Sequence, residues 1–263
     1  MSEGRFFSDL PRTGFENMAI DETLVESLLN KLSVPTFRLY SWNPSCLSLG
    51  FHQPVSEVNL ENLQKKKLDL VRRPTGGRAV FHANEITYSA AIPLQNQSAS
   101  FWYDKIHKAF FDVFRQMNIP VEISTATDNF KAIYKNSTSV PCFVSSAKSE
   151  LLIEGKKVVG SAQRVFGSVL LQHGSILIDH SHEEIIEFLN FSDSEEKEKM
   201  KQTLLDKSAV LLDYNPDFSV SEFSEKLVPA LNRNLGIQFS ESSLLPQELE
   251  MVYHFSKKYR RVS

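Results

Sequence analysis

Apolar side chains recur at every fourth position from Asn17 to Leu32, at Ile20, Leu24, Leu28 and Leu32, which is the spacing of one helical face. The pattern predicts an amphipathic helix with Asp21 and Glu22 in its first turn, where the helix dipole favours negative charge. A stronger stripe, Ile106, Ala109, Phe110, Val113, Phe114 and Met117, predicts a core-packed helix over Phe101 to Met117. Arg5 to Leu10 predicts a short edge strand stopped by Pro11, and Leu60 to Lys67 a polar helix ending in three lysines. Thr36 to Trp42 and Cys46 to Phe51 are β-rich runs separated by Asn43-Pro44, and predict a hairpin.

The stretch VRRPTGGRAVFHANEITYSAAIP, Val71 to Pro93, then predicts strand, tight glycine turn, strand. After the second helix, Thr125 to Val140 is polar and without sustained period, a long loop of the kind that is often functional. Glu150 to Ile153, Lys157 to Val165 and Val169 to Ile178 are joined too closely for helical crossovers, and predict an antiparallel meander. Four charged stretches follow, Glu183 to Asn190, Ser194 to Leu205, Ser219 to Asn234 and Gln247 to Lys258, each predicting a helix. The fold class is therefore α/β of the α+β kind: an antiparallel-rich mixed central sheet flanked by helices, over residues 1–180, with a helical part over 181–263 packed on it or appended to it.

Composition narrows the function classes. At 41% hydrophobic and 23% charged the 263-residue chain has the make-up of an ordinary globular protein, and 29 basic against 32 acidic residues, net −3, argue against general nucleic-acid affinity. No apolar run approaches the roughly 18 residues of a membrane span. Two isolated cysteines, Cys46 and Cys142, with no signal peptide, indicate a reducing cytoplasm and neither a disulfide framework nor a zinc site.

Gly76 and Gly77 let main-chain N–H groups approach a ligand, and Arg72, Arg73 and Arg78 bring positive charge to the same turn; the segment is an anion or oxyanion cradle, or simply an arginine-flanked hairpin. Cys142 follows a proline at the end of the polar loop. It is either an inert thiol or a nucleophile, with Lys157 as the candidate cation beside it. Lys157 begins KVVGSAQ, in which Gly160 and Ser161 again bring backbone close to a ligand. His173, alone in a strand, reads as a satisfied core residue. His180 and His182 beside Glu183 and Glu184 fit a helix start, and no metal is assigned.

RRPTGGRAVFHANEITYS resembles the RRxxGG-x-V-x-H signature of the lipoate–protein ligase, octanoyltransferase and biotin ligase superfamily. NMAIDETL, RLYSWNPSCLSLGFHQ and EGKKVVGSAQ followed by LLQHGSILID agree with it in order, from Asn17 to Asp179. The resemblance implies the superfamily's catalytic domain over 1–180 and a cytoplasmic enzyme of protein lipoylation. It places Lys157 at the acyl carbonyl and Cys142 at the thioester-forming cysteine of one octanoyltransferase branch. Arg72, Arg73, Gly76, Gly77, Arg78, Val80, His82, Gly160 and Ser161 then belong to the acyl-binding site. Three departures stand out. Ala83 and Asn84 follow His82 where the family commonly has Asp, Arg78 replaces a third glycine as in the octanoyltransferase branch, and Ser149-Glu150 stands where ligases carry the Asn-Asp that helps to hold the magnesium of ATP. The implied reaction is octanoyl transfer from acyl carrier protein to a lysine of lipoyl domains or the glycine-cleavage H protein, without cofactor, nucleic acid or membrane. The alternatives are a ligase using ATP and Mg2+ through lipoyl-AMP, and a non-catalytic paralogue that binds acyl chains or lipoyl domains.

Overall fold

The computed structural model describes residues 2–124 and 149–260; the expected loop Thr125 to Val140 and Cys142 lie outside the described residues. In chain order the first half forms β1 (Ser2–Ser8), helix α1 (Gly14–Leu29), β2 (Thr36–Tyr40), β3 (Cys46–Leu49), helix α2 (Leu60–Lys65), β4 (Asp69–Arg72), β5 (Val80–His82), β6 (Glu85–Pro93) and helix α3 (Ala99–Gln116). Next come β7 (Glu122–Ile123), β8 (Leu151–Ile153), β9 (Lys156–Lys157), β10 (Val159–Phe166) and β11 (Val169–Leu177). The 3-10 segment His180–Phe188, helix α4 (Ser194–Lys207), helix α5 (Val220–Leu235), β12 (Ile237–Glu241) and helix α6 (Pro246–Tyr259) follow, and short 3-10 turns at Val55–Glu57 and Leu211–Asp213 complete the described elements.

Among the described residues the main sheet has six strands in the order β10-β11-β6-β2-β1-β12. Pairing is antiparallel from β10 to β2 and parallel from β2 through β1 to β12, a mixed sheet as the alternation patterns predict. Phe6 and Phe7 go to opposite faces, as successive strand residues must. Phe6 joins a core with Phe37, Tyr88, Phe110, Phe114 and Phe223 under α3 and α5, whereas Phe7 packs with Ile20, Leu24 and Leu171 under α1. A second sheet, β4-β3-β5, packs its apolar face on the 3-10 segment and α4 through Leu47, Phe81, Phe188 and Leu204. A third, β7-β8-β9, is short.

Four expectations change. Residues Thr36 to Phe51 do not form a hairpin: β2 pairs with β1 and β6, and β3 pairs with β4 and β5 in the other sheet. Both strands are buried on each face, so alternation gave no sign of their separation. The glycine turn likewise does not join paired strands, because β3 lies between β4 and β5. β1 is not an edge strand, since β12, which helical periodicity did not reveal, covers its outer side. Finally, α1 begins at Gly14 with a Thr13/Glu16 capping box, which puts Asp21 in its buried middle rather than its first turn.

Residues beyond 180 thus supply a strand to the main sheet and helices to its core. Arg5 on β1 donates from Nη2 to both oxygens of Glu248 on α6, at 3.0 and 2.9 Å, with Glu248 fully buried. Removing one member of such a pair strands the other charge, so Glu248→Ala is expected to lower unfolding free energy by roughly 3–5 kcal/mol in denaturant titration.

Candidate active site

A narrow cleft opens where the small sheet meets the main sheet, with Met18, Tyr40, Trp42, Val80 and Ala162 among its apolar lining. Gly160 and Gly174 let backbone form part of the wall; a Cβ on Gly174 would lie 2.2 Å from the Gly160 carbonyl oxygen.

The glycine turn is built from inside. Gly77 has φ 92°, in the left-handed region, and a Cβ on Gly50 would lie 1.9 Å from the Gly77 carbonyl oxygen, so two backbones touch where β3 ends. Arg73, buried, donates to the carbonyls of Ser48 (3.1 Å), Gly76 (2.8 Å) and Arg78 (2.7 Å). Arg72 donates to the Gly50 and Gln53 carbonyls at 3.0 and 2.5 Å, and Arg78 pairs with Glu57 at 3.2 Å. Through these contacts the guanidinium groups shape the turn.

Two hydroxyl–imidazole–carboxylate chains stand behind the cleft wall. His173 Nδ1 lies 2.9 Å from Asp21 Oδ2 and therefore donates to it, while Nε2 meets the Thr75 hydroxyl at 2.6 Å. Asp21 is also bonded by Arg38 and Tyr40. His82 Nδ1 lies 2.7 Å from Glu85 Oε1 and Nε2 lies 2.7 Å from Ser48 Oγ, with the ring stacked on Trp42 at 4.1 Å. Glu85 Oε1 further accepts from Thr87 and Ser175. The first chain pins the glycine turn to α1, and the second pins β5 to β3 and β6.

Lys157 is buried, and its Nζ lies 2.5 Å from Glu150 Oε1, itself buried. Lys156 turns the other way and donates to the Leu205 carbonyl of α4 at 3.2 Å. Close to Lys157 stands His107, fully buried on α3. Burial pushes its pKa down to about 3, the bond to the Ser149 carbonyl opposes that shift, and the charge of Lys157 adds to it. Cys46 is sealed in the core, and burial raises its thiol pKa well above the ordinary value, the carboxylates of Asp69 and Glu85 adding to the effect.

Of the residues expected from sequence, Arg73, Val80, His82, Gly160 and Ser161 line one cleft. Arg72 and Gly76 line neighbouring surface clefts, Gly77 and Arg78 form the turn, Lys157 lies three residues before Gly160, and Cys142 is outside the described residues. Among the described residues no group of three or more His, Cys, Asp or Glu is placed to hold a metal ion. Sequence reasoning passed over Asp21, Ser48, Thr75, Glu85 and His107. Two of these carried a signal: Asp21, four residues after the equally polar Asn17, and His107, three before Phe110, are polar residues on apolar helix faces.

The lipoyl protein ligase A/B catalytic domain model matches residues 13–232. The chain belongs to that family. It is 33% identical to octanoyltransferase LipM of Anoxybacillus flavithermus over 248 residues, covering 92% of this chain and 89% of that protein. Octanoyltransferase LipM of Carboxydothermus hydrogenoformans is 34% identical over 259 residues, covering 95% and 93%. The fold matches a lipoate-protein ligase A bound with ATP (TM-score 0.78, 20% identity, covering 97% and 95%). It also matches a bipartite lipoate protein ligase of Thermoplasma acidophilum (TM-score 0.79, 19% identity, covering 98% and 93%). In this lipoyl ligase family member the Gly50–Gly77 contact makes a paired prediction. Gly50→Ala is expected to cost about 1–3 kcal/mol or more as overpacking. Gly76→Ala, with nothing within 4 Å of its added Cβ, is expected to leave the denaturation midpoint nearly unchanged.

Proposed function

We propose that the chain is an octanoyltransferase of protein lipoylation, working through a thioester on Cys142. The observation that carries the reading is its 33–34% identity to octanoyltransferases over nine-tenths of both chains. The site is consistent with it: a cleft with an apolar lining, and a buried ammonium, Lys157, on the short strand just before Gly160 and Ser161 of that lining. Of the two cysteines, Cys46 is packed away from solvent and its thiol is disfavoured as a thiolate, so the nucleophile of this reading is Cys142.

The Cys142 thiolate attacks the octanoyl thioester of acyl carrier protein, and the carrier's thiol leaves with the proton that Cys142 gave up. A lysine amine on a lipoyl domain, or on the glycine-cleavage H protein, then attacks the Cys142 thioester, loses its proton and forms the amide. Cys142 departs as thiol. Both steps place negative charge on the acyl oxygen, and the Lys157 ammonium, oriented by Glu150 out of bulk water, stabilises it. Neither step consumes ATP or requires Mg2+.

Incubation with octanoyl-acyl carrier protein is expected to add one octanoyl group to the chain by intact mass, and Cys142→Ser to abolish the adduct. An adduct that survives Cys142→Ser contradicts the reading, as does lipoate-dependent pyrophosphate release from ATP that is indifferent to Cys142→Ala. Lys157→Ala is expected to slow transfer by about two to three orders of magnitude, the scale of losing one oxyanion donor. Lys156→Ala, on the opposite side of β9, is expected to stay near the wild-type rate.

A further inference from the structure

The cleft wall contains a hydrogen-bond chain whose direction follows from its last member. The Ser149 carbonyl only accepts, so His107 Nδ1, 2.7 Å away, carries a proton. With its pKa held down to about 3, the ring has only that one proton, and Nε2 must accept. Ser161 Oγ, 2.8 Å from Nε2, is therefore the donor there. Its other neighbour, the Tyr88 hydroxyl at 2.7 Å, must in turn donate to Ser161. The Tyr88 oxygen then accepts from Gln172 Nε2 at 2.7 Å. Gln172 Oε1 accepts from Gln163 Nε2, also at 2.7 Å, and Gln163 bonds to the Ala99 carbonyl at 2.8 Å.

Every member is neutral near pH 7, since burial raises the Tyr88 hydroxyl pKa well above its ordinary value while it lowers that of His107. The chain leaves α3 at Ala99, crosses β10, β11 and β6, and returns to α3 at His107. It ends on Ser149, the residue directly before Glu150, whose carboxylate holds Lys157. Ser149 is held from its other side as well, its N–H donating to the Ser124 carbonyl at 3.0 Å.

We propose that His107 is a positioning residue for acyl transfer: it fixes from α3 the spacing between the cleft wall at Ser161 and the Ser149–Glu150 backbone that sets the Lys157 ammonium. The proposal rests on the octanoyltransferase reading. Its physical content is that His107 bridges two elements the reaction needs in register, and that a displacement of about 1 Å at a reacting group can cost on the order of a hundredfold in rate. A neutral ring makes this bridge without adding a second buried cation beside Lys157.

Three variants of the full chain separate positioning from bulk packing. His107→Phe keeps an aromatic ring and neither bond, His107→Asn keeps a donor near the Nδ1 place, and His107→Gln keeps an acceptor near the Nε2 place. In octanoyl transfer from octanoyl-acyl carrier protein to a lipoyl domain, His107→Phe is expected to lose roughly tenfold or more in kcat, with donor KM within about twofold. Asn and Gln are each expected to recover part of the loss, and the wild-type pH profile to show no His107 titration. A kcat for His107→Phe equal to wild type overturns the proposal, as does a loss that neither Asn nor Gln relieves. Nitrogen-15 spectra of the wild-type histidines give a readout free of activity and of variant folding. A neutral Nδ1–H ring throughout about pH 5–8 is expected for His107; an Nε2–H ring, or titration within that window, overturns the proposal. If wild-type chain does not transfer octanoyl at all, the functional reading fails by itself, while the spectra still decide the geometry.

Discussion

A carboxylate in the middle of helix α1 holds the site to the rest of the molecule. Asp21 is fully buried, and an ionised carboxyl out of water costs several kcal/mol unless its oxygens are occupied by charge or by donors. Arg38 on β2, Tyr40 on β2 and His173 on β11 occupy them, and His173 passes the constraint on to Thr75 in the glycine turn. One acidic group thereby fixes a helix, two neighbouring regions of the main sheet and the turn that closes the cleft. Arg38 also reaches Asp9, whose burial alone would raise its pKa. The bonds and charges of Arg12 and Arg38 win, and hold the Asp9 carboxyl below the usual range.

The buried polar groups divide into two kinds. On the α1 side they are ionic and lock the framework. On the α3 side, from Gln163 to His107, they are neutral and directional, and they approach the buried Lys157 without competing for its carboxylate partner. An ammonium kept out of bulk water interacts strongly with charge that develops near it, because the surrounding dielectric is low. In the proposed transfer the geometry of Glu150 and of the backbone that carries it therefore matters as much as the lysine itself.

What could be read from the sequence was whatever showed a clean period. The stripe from Ile106 to Met117 gave α3, and the tightly joined runs from Glu150 to Ile178 gave the antiparallel succession of β8 to β11, broken at Val158 where the chain passes from one sheet to another. Thr36 to Phe51 misled because a strand buried on both faces has no alternation to show which sheet it joins. Ile237 and Phe239 did alternate with polar neighbours, so β12 was legible in principle, yet five residues between helices are a weak signal. The site was half legible. Arg73, Val80, His82, Gly160 and Ser161 were named and do meet at one cleft, whereas the bonds of Asp21 and Thr75 to His173 and of His107 to Ser161 join residues distant in sequence, and Glu85, only three residues after His82, shows no pattern that marks it as the partner of that ring. The arginines of the turn were visible as charge, but their bonds to carbonyls across the turn were not.

Whether the acyl group passes through the chain itself is decided by a single-turnover chase. Chain charged with octanoyl from acyl carrier protein, freed of donor and mixed with unmodified lipoyl domain in the absence of ATP, should lose its octanoyl group at the rate at which the lipoyl-domain lysine gains it as an amide. Octanoyl that stays on the chain, or that reaches the lipoyl domain only when ATP is added, would rule out the covalent route.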